Sequence, residues 1–161
     1  MRLLARISTA SIALISLTAA ALAAEAQAVE VEIVQSGIYE LERGSAEGPI
    51  LIKSTTVIPA ELGSEFGFEF NVRGTEAGRP VELTLVTEFP SQGLYEMETH
   101  KIVFRDERTF RSGSELRGYH GYILDSPSEL VLGTWTFKIL YRDELLATQS
   151  FELVLPLSGQ W

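Results

Sequence analysis

"GTWTFKILYRDELLATQSFELVL", residues Gly133 to Leu155, decides the fold class. Trp135, Phe137, Ile139 and Tyr141 fall on every second position, with Thr134, Thr136 and Lys138 between them. A side-chain period of two belongs to a strand with one buried and one wetted face. Arg142-Asp143-Glu144 breaks the run, and a second run reaches Phe151, Leu153 and Leu155, so the stretch reads as a β-hairpin. Gly133 suits a chain crossing from one sheet to another. Trp135 can then cover the core end while its indole N–H reaches a backbone carbonyl.

The same period runs outward through the chain. In "FGFEFNVR", Phe66, Phe68, Phe70 and Val72 alternate with Gly67, Glu69, Asn71 and Arg73. "GTEAGRP" turns into "VELTLVTEF", whose inner row is Val81, Leu83, Leu85 and Phe89. In "VEVEIVQSGIYEL", Val29, Val31, Ile33, Tyr39 and Leu41 share one parity, with Gly37 as a candidate bulge or kink. "ILIKSTTVI" reads as one further strand, and "RGSAEGP" (Arg43 to Pro49) and "PSQGL" read as loops. "HKIVFRDERTFR" should hold a strand around Ile102 and Phe104, and "LRGYHGYIL" another. "DSPSELVLG" is a connection with room for a short turn in Ser126 to Leu130. No helical period of 3.6 stands out. The pattern predicts an all-β fold, an antiparallel immunoglobulin-like β-sandwich of about 7–9 strands.

Residues 1–28 read as a signal peptide ahead of this domain. Arg2 and Arg6 make a positive start, Ile7 to Ala24 carries no charge, and Ala26-Gln27-Ala28 supplies the small-x-small cleavage pattern, placing the cut before Val29. Ala21-Leu22-Ala23 is an earlier candidate. The expected localisation is periplasmic or secreted, with no stable membrane insertion after cleavage. Losing Arg2, Arg6 and Glu25 takes the formal charge from −9 to −10, with 11 basic against 21 acidic residues over 29–161. Such a surface repels phosphate backbones, so no nucleic-acid partner is expected. With zero cysteines there is no disulfide, and the core alone must hold the fold.

Several blocks occurring in order resemble a bacterial family, the domain of unknown function numbered 3859. They are "GIY" at Gly37, "IPAELGSEFGFEF" at Ile58, "GRPVELTLVTEFPSQGL" at Gly78, "GYHGYIL" at Gly118 and "ELVLGTWTFKI" at Glu129. The resemblance implies an exported, β-rich domain and carries over no catalytic or binding residues. It also implies a glycine in the turn after the "GTW" strand, where this chain has Arg142-Asp143-Glu144. Asp143 tolerates the left-handed conformation, which leaves the turn type open.

The search for chemistry narrows the function classes. There is no G-x-S-x-G elbow, and thiol catalysis and zinc–thiolate sites need cysteines the chain does not have. His100 and His120, with Asp106 or Asp125, are the residues from which a metal-dependent hydrolase would have to be built. "FRDERTFRSGSE" mixes arginine with its acids and makes a poor calcium loop. A small outer-membrane barrel is a further alternative, because Phe151, Leu153, Leu155, Leu157, Gly159 and Trp161 alternate to a terminal aromatic. Pro156 interrupts that last strand. The reading that remains is a non-enzymatic binding or accessory domain with no cofactor, whose partner is an envelope protein or a glycan. Two segments offer a surface for it: Phe89, Pro90, Leu94 and Tyr95 in "FPSQGLYE", and Tyr119, His120 and Tyr122 in "RGYHGYIL". Packing at the sandwich edge is the plainer role for Tyr119 and Tyr122, and stacking on a sugar the more interesting one.

Overall fold

The computed structural model describes residues 28–40, 48–74, 80–111 and 117–156. Among them are eleven strands: β1 (Glu30–Glu40), β2 (Ile50–Ser54), β3 (Val57–Pro59), β4 (Glu65–Arg73), β5 (Glu82–Glu88), β6 (Leu94–Glu96), β7 (Lys101–Val103), β8 (Arg105–Arg111), β9 (Arg117–Ile123), β10 (Gly133–Tyr141) and β11 (Glu144–Val154). Nine of them make two sheets, in the orders β2-β1-β4-β9 and β3-β11-β10-β5-β8, and β6 and β7 pair as a separate small hairpin. The expected sandwich is therefore present, with the small hairpin as an extra element. A 3₁₀ turn at Pro127–Glu129 falls where the connection left room for one.

The core lies between the sheets and is built from the alternation read above. Phe66, Phe68, Phe70 and Val72 of β4 face Trp135, Phe137 and Ile139 of β10 and Phe151 and Leu153 of β11, all of them buried. Phe66 meets Trp135, Phe137 and Phe151 edge-to-face at centroid distances of 5.7, 5.7 and 5.4 Å. These are the separations at which aromatic quadrupoles attract. Trp135 Nε1–H donates to the Val131 carbonyl at 2.9 Å, so the indole's single donor is satisfied inside the core. Gly133, with φ 114, makes the corner before it.

Three expectations need correction. "ILIKSTTVI" is two strands: β2 lies antiparallel to β1, the chain crosses at Thr55-Thr56, and β3 continues parallel to β11 in the other sheet. The Thr55 hydroxyl supports the crossing by accepting from Val57 N–H at 3.1 Å. Second, Tyr39 does not share a face with Val31 and Ile33. The β1–β4 register shifts between Ile33 and Gln35, three residues before Gly37, and this bulge reverses the parity. Ile38 then packs on the core and Tyr39 on the outer side. Third, the fold is no barrel. Among the described residues, two separate sheets leave open edges at β2, β9, β3 and β8, and Phe151 and Leu153 face the core. Leu157, Gly159 and Trp161 lie outside the described residues. Among those described, no helix is long and apolar enough to cross a membrane.

The β10–β11 turn is a two-residue connection with Arg142 at φ 50 and Asp143 at φ 67. Two successive positive φ values are the type I′ geometry that matches the twist of a hairpin. Asp143 occupies the place where glycine is cheapest. Asp143→Gly is accordingly expected to stabilise the domain by roughly 0.5 kcal/mol, read as a higher urea midpoint at unchanged slope. A lower midpoint would mean that the aspartate makes a contribution the turn geometry does not require.

Candidate functional site

The edge strands β8 and β9 lie on the same side of the sandwich, and a cavity of about 550 Å³ runs along the seam between them. Leu85, Arg108, Phe110, His120 and Tyr122 line its inner part, and Glu65, Tyr119, Gly121 and Ile123 line the part reaching round β9 to the outer face. Strand alternation explains the division. Register with β4 pairs His120 with Phe68 and Tyr122 with Phe66, both core positions, and pairs Tyr119 with Glu69 on the opposite face. The trio Tyr119, His120 and Tyr122 is therefore not one surface, although all three touch one cavity.

His120 is 2% exposed, with its ring 4.9 Å from that of Phe137 and 5.7 Å from that of Phe68. Its Nε2 lies 3.3 Å from the Val86 carbonyl, an acceptor, so the proton sits on Nε2. Burial pushes its pKa down to about 4, the Val86 bond partly opposes this, Arg108 adds to the lowering and Asp106 offsets it. An unfolded histidine titrates near 6.5, so between that pH and about 4 the unfolded chain takes up a proton that the folded chain refuses. Stability is thus lost on acidification through this window, by up to about 3 kcal/mol from this residue. Glu65 acts in the opposite sense, because burial raises its pKa and the folded state binds that proton first. His120→Gln is expected to flatten the loss between pH 7 and pH 4.5 in urea titrations. An unchanged acid loss in the variant would clear the imidazole of responsibility.

The outer face of the β2-β1-β4-β9 sheet is unusual for what it buries. Gly37, Gly67 and Gly121 stand side by side on β1, β4 and β9. A Cβ on Gly121 would lie 2.1 Å from the Tyr119 hydroxyl, and one on Gly67 would lie 2.9 Å from it, so the tyrosine lies across the glycine row. Tyr39 meets its ring edge-on at 4.9 Å, and Tyr39 Oη–H donates to the Gln35 carbonyl at 3.2 Å. Burial lifts the Tyr39 pKa to about 12 and that of Tyr119 higher still. Glu65 is 6% exposed. The Tyr119 hydroxyl is drawn to its carboxyl, yet is buried without a hydrogen bond of ordinary geometry. Farther along the strand, Glu69 is held by Gln35 and Arg117.

The second predicted segment divides by depth. Phe89 is half-buried against Trp135 at 5.0 Å and Tyr122 at 6.1 Å, and Tyr122 Oη–H donates to Glu129 at 3.0 Å. Pro90 and Leu94, expected on the surface, are buried and form the root of the β6–β7 hairpin. Tyr95 stays out, at 43% exposure. The apolar groups beside it are ones the sequence reading placed elsewhere or passed over: Met97 at 67%, Ile102 at 57% and Phe104 at 58%. The strand expected around Ile102 and Phe104 is present as β7, but it ends at Val103, and the Ile102 and Phe104 side chains lie over Gly93, which has φ 70.

His100 sits in the turn of this hairpin at φ 55, with Nδ1 3.1 Å from the exposed Tyr95 hydroxyl. His120 is in the core, so the two histidines do not form the metal-binding pair that a hydrolase would need. Among the described residues, no three of His, Asp and Glu are grouped to hold a metal ion.

Two facing sheets, a strand segment that changes sheets, and a corner tryptophan define an immunoglobulin-like β-sandwich domain. The chain belongs to the family described as a domain of unknown function, DUF3859, whose model matches residues 27–153. It is similar to an immunoglobulin-like protein of Pseudomonas aeruginosa, with 28% identity and a TM-score of 0.65 over 80% of this chain and 99% of that one. Pseudomonas fluorescens alkylpurine DNA glycosylase, bound to DNA containing an abasic site analog, matches at 16% identity and a TM-score of 0.40, over 77% of this chain and 30% of that one. No curated protein matches the sequence.

Proposed function

We propose that this is an exported, non-enzymatic binding domain that engages an envelope protein through the β6–β7 hairpin. One observation carries the reading: Tyr95, Met97 and Ile102 of one short hairpin and Phe104 directly after it are all exposed, while the core is filled by other side chains. Grouped exposed apolar side chains mark interaction surfaces more often than scattered ones do. Tyrosine, methionine and phenylalanine are among the residues enriched there. The leader, with Arg2, Arg6 and the Ala26-Gln27-Ala28 cleavage pattern, supports export. The sandwich fold and the burial of His120 support a binding role over a catalytic one.

The test is expression of the full-length chain with a photo-crosslinking residue at position 102 or, as a control, at the exposed Thr148 of β11. The expected product is a periplasmic species whose mass begins at Val29 and which crosslinks a protein from position 102 alone. Phe104→Ser with Met97→Ser should weaken that association at least tenfold and change stability by no more than about 1 kcal/mol. Retention in the cytoplasm with the leader intact would defeat the export half. Equal crosslinking from both positions would defeat the hairpin half.

A further inference from the structure

The four open edges of the sandwich are not equally protected. Sheet edges offer unpaired N–H and C=O groups, and proteins blunt them with charge, proline or brevity. β3 has three residues and ends in Pro59, and β2 has five with Lys53 among them. β8 carries Arg105, Asp106, Glu107 and Arg108, all exposed. In β9, by contrast, Gly118 to Ile123 contains no Lys, Arg, Asp, Glu or Pro, and among the described residues the strand pairs only with β4.

The seam cavity straddles this edge and reaches both sides of it. On the outer side it meets Glu65, which is 6% exposed, and the Tyr119 hydroxyl, which is drawn to the Glu65 carboxyl but buried without a hydrogen bond of ordinary geometry. A buried hydroxyl left in that state at a cavity wall calls for a partner. Asp125 and Glu129 add acids to the lining, where Arg108 is the one cation among the described residues. Glu129 is already spent on the Asp125 and Ser126 amides and on Tyr122.

We infer that the free edge of β9 accepts an extended peptide segment of another protein as a fifth strand of the β2-β1-β4-β9 sheet, with a lysine or arginine of that segment directed to Glu65 and Tyr119. Main-chain bonds to the edge supply affinity, and the spaces on either side of it sort alternate side chains. A second copy of this chain is the poorer occupant. At a net charge of −9 the chain repels itself, and pairing two β9 edges would bring acidic lining against acidic lining. This edge is separate from the β6–β7 hairpin and does not depend on it.

The experiment is panning of a random heptapeptide phage library on the purified domain, followed by amide hydrogen exchange with a synthetic peptide of the enriched sequence. Enrichment of alternating β-branched residues around one Lys or Arg is expected, with new protection confined to 118–123 and binding that weakens with salt. Glu65→Gln should lower affinity about tenfold and Tyr119→Phe by less, and neither change alters the hairpin. Failure to enrich any binder, an acidic or helical consensus, protection on 94–103, or affinity unchanged in Glu65→Gln would each overturn the assignment. So would sedimentation showing that the domain self-associates through β9.

Discussion

Trp135→Ala is expected to cost about 3–5 kcal/mol, as large-to-small aromatic substitutions in cores do. Small domains have only about 5–15 kcal/mol to lose. The expected result is a domain that is largely unfolded or unfolds at low urea, with loss of the near-ultraviolet dichroism of its aromatic rings. The ring is fully buried and touches Phe66 at 5.7 Å, Phe89 at 5.0 Å and Tyr122 at 4.9 Å, so its removal leaves a cavity bordered by three other rings. It also strands the Val131 carbonyl, which accepts the indole N–H. Trp135→Phe keeps most of the ring contact, loses that bond, and should fall between the two. A loss below about 2 kcal/mol for the alanine variant would show that the corner is not the keystone of this core.

Gly67→Ala should be the second most damaging single change, although it adds one methyl group. That methyl would sit 2.4 Å from the His120 carbonyl oxygen and 2.5 Å from the Gly121 Cα, both backbone atoms of the neighbouring strand. Side chains can swing away, but a paired strand cannot do so without breaking its ladder. The cost is therefore expected at or above the top of the ~1–3 kcal/mol range for overpacking. Gly63→Ala is the natural comparison. Gly63 has φ 84 and open space around it, so that substitution meets only the left-handed backbone penalty of about 1–2 kcal/mol. Urea titrations of the two variants decide the matter. If Gly63→Ala proves the worse, the close approach of β4 and β9 is not what demands glycine at position 67.

The sandwich was legible in the sequence because burial on one face imposes a period of two that survives in the letters. Phe66, Phe68, Phe70 and Val72, and likewise Trp135, Phe137 and Ile139, share one parity in the sequence and all lie inward. The period misled where a local event reset it. The bulge after Ile33 carried Tyr39 to the other face. That event leaves no compositional mark. The aromatic and glycine content of "RGYHGYIL" marks a candidate surface, and Tyr119, His120 and Tyr122 all line one cavity. Their division between two faces follows from strand pairing with β4, which a single sequence does not display.

What the sequence determined by itself is the class of fold, the position of the core hairpin and its corner tryptophan, and the membership that the ordered blocks from "GIY" to "GTWTFKI" declared. Each is encoded locally, in alternation, turn chemistry or short contiguous blocks. Only the tertiary structure decided that "ILIKSTTVI" serves two sheets, that three distant glycines form one row with Tyr119 lying over Gly67 and Gly121, and that Glu65 lies buried beside the Tyr119 hydroxyl at an open edge. Those features arise from register between strands far apart in the chain. A shift of one residue in any pairing would dissolve them while leaving the hydrophobic pattern of each strand as it stands.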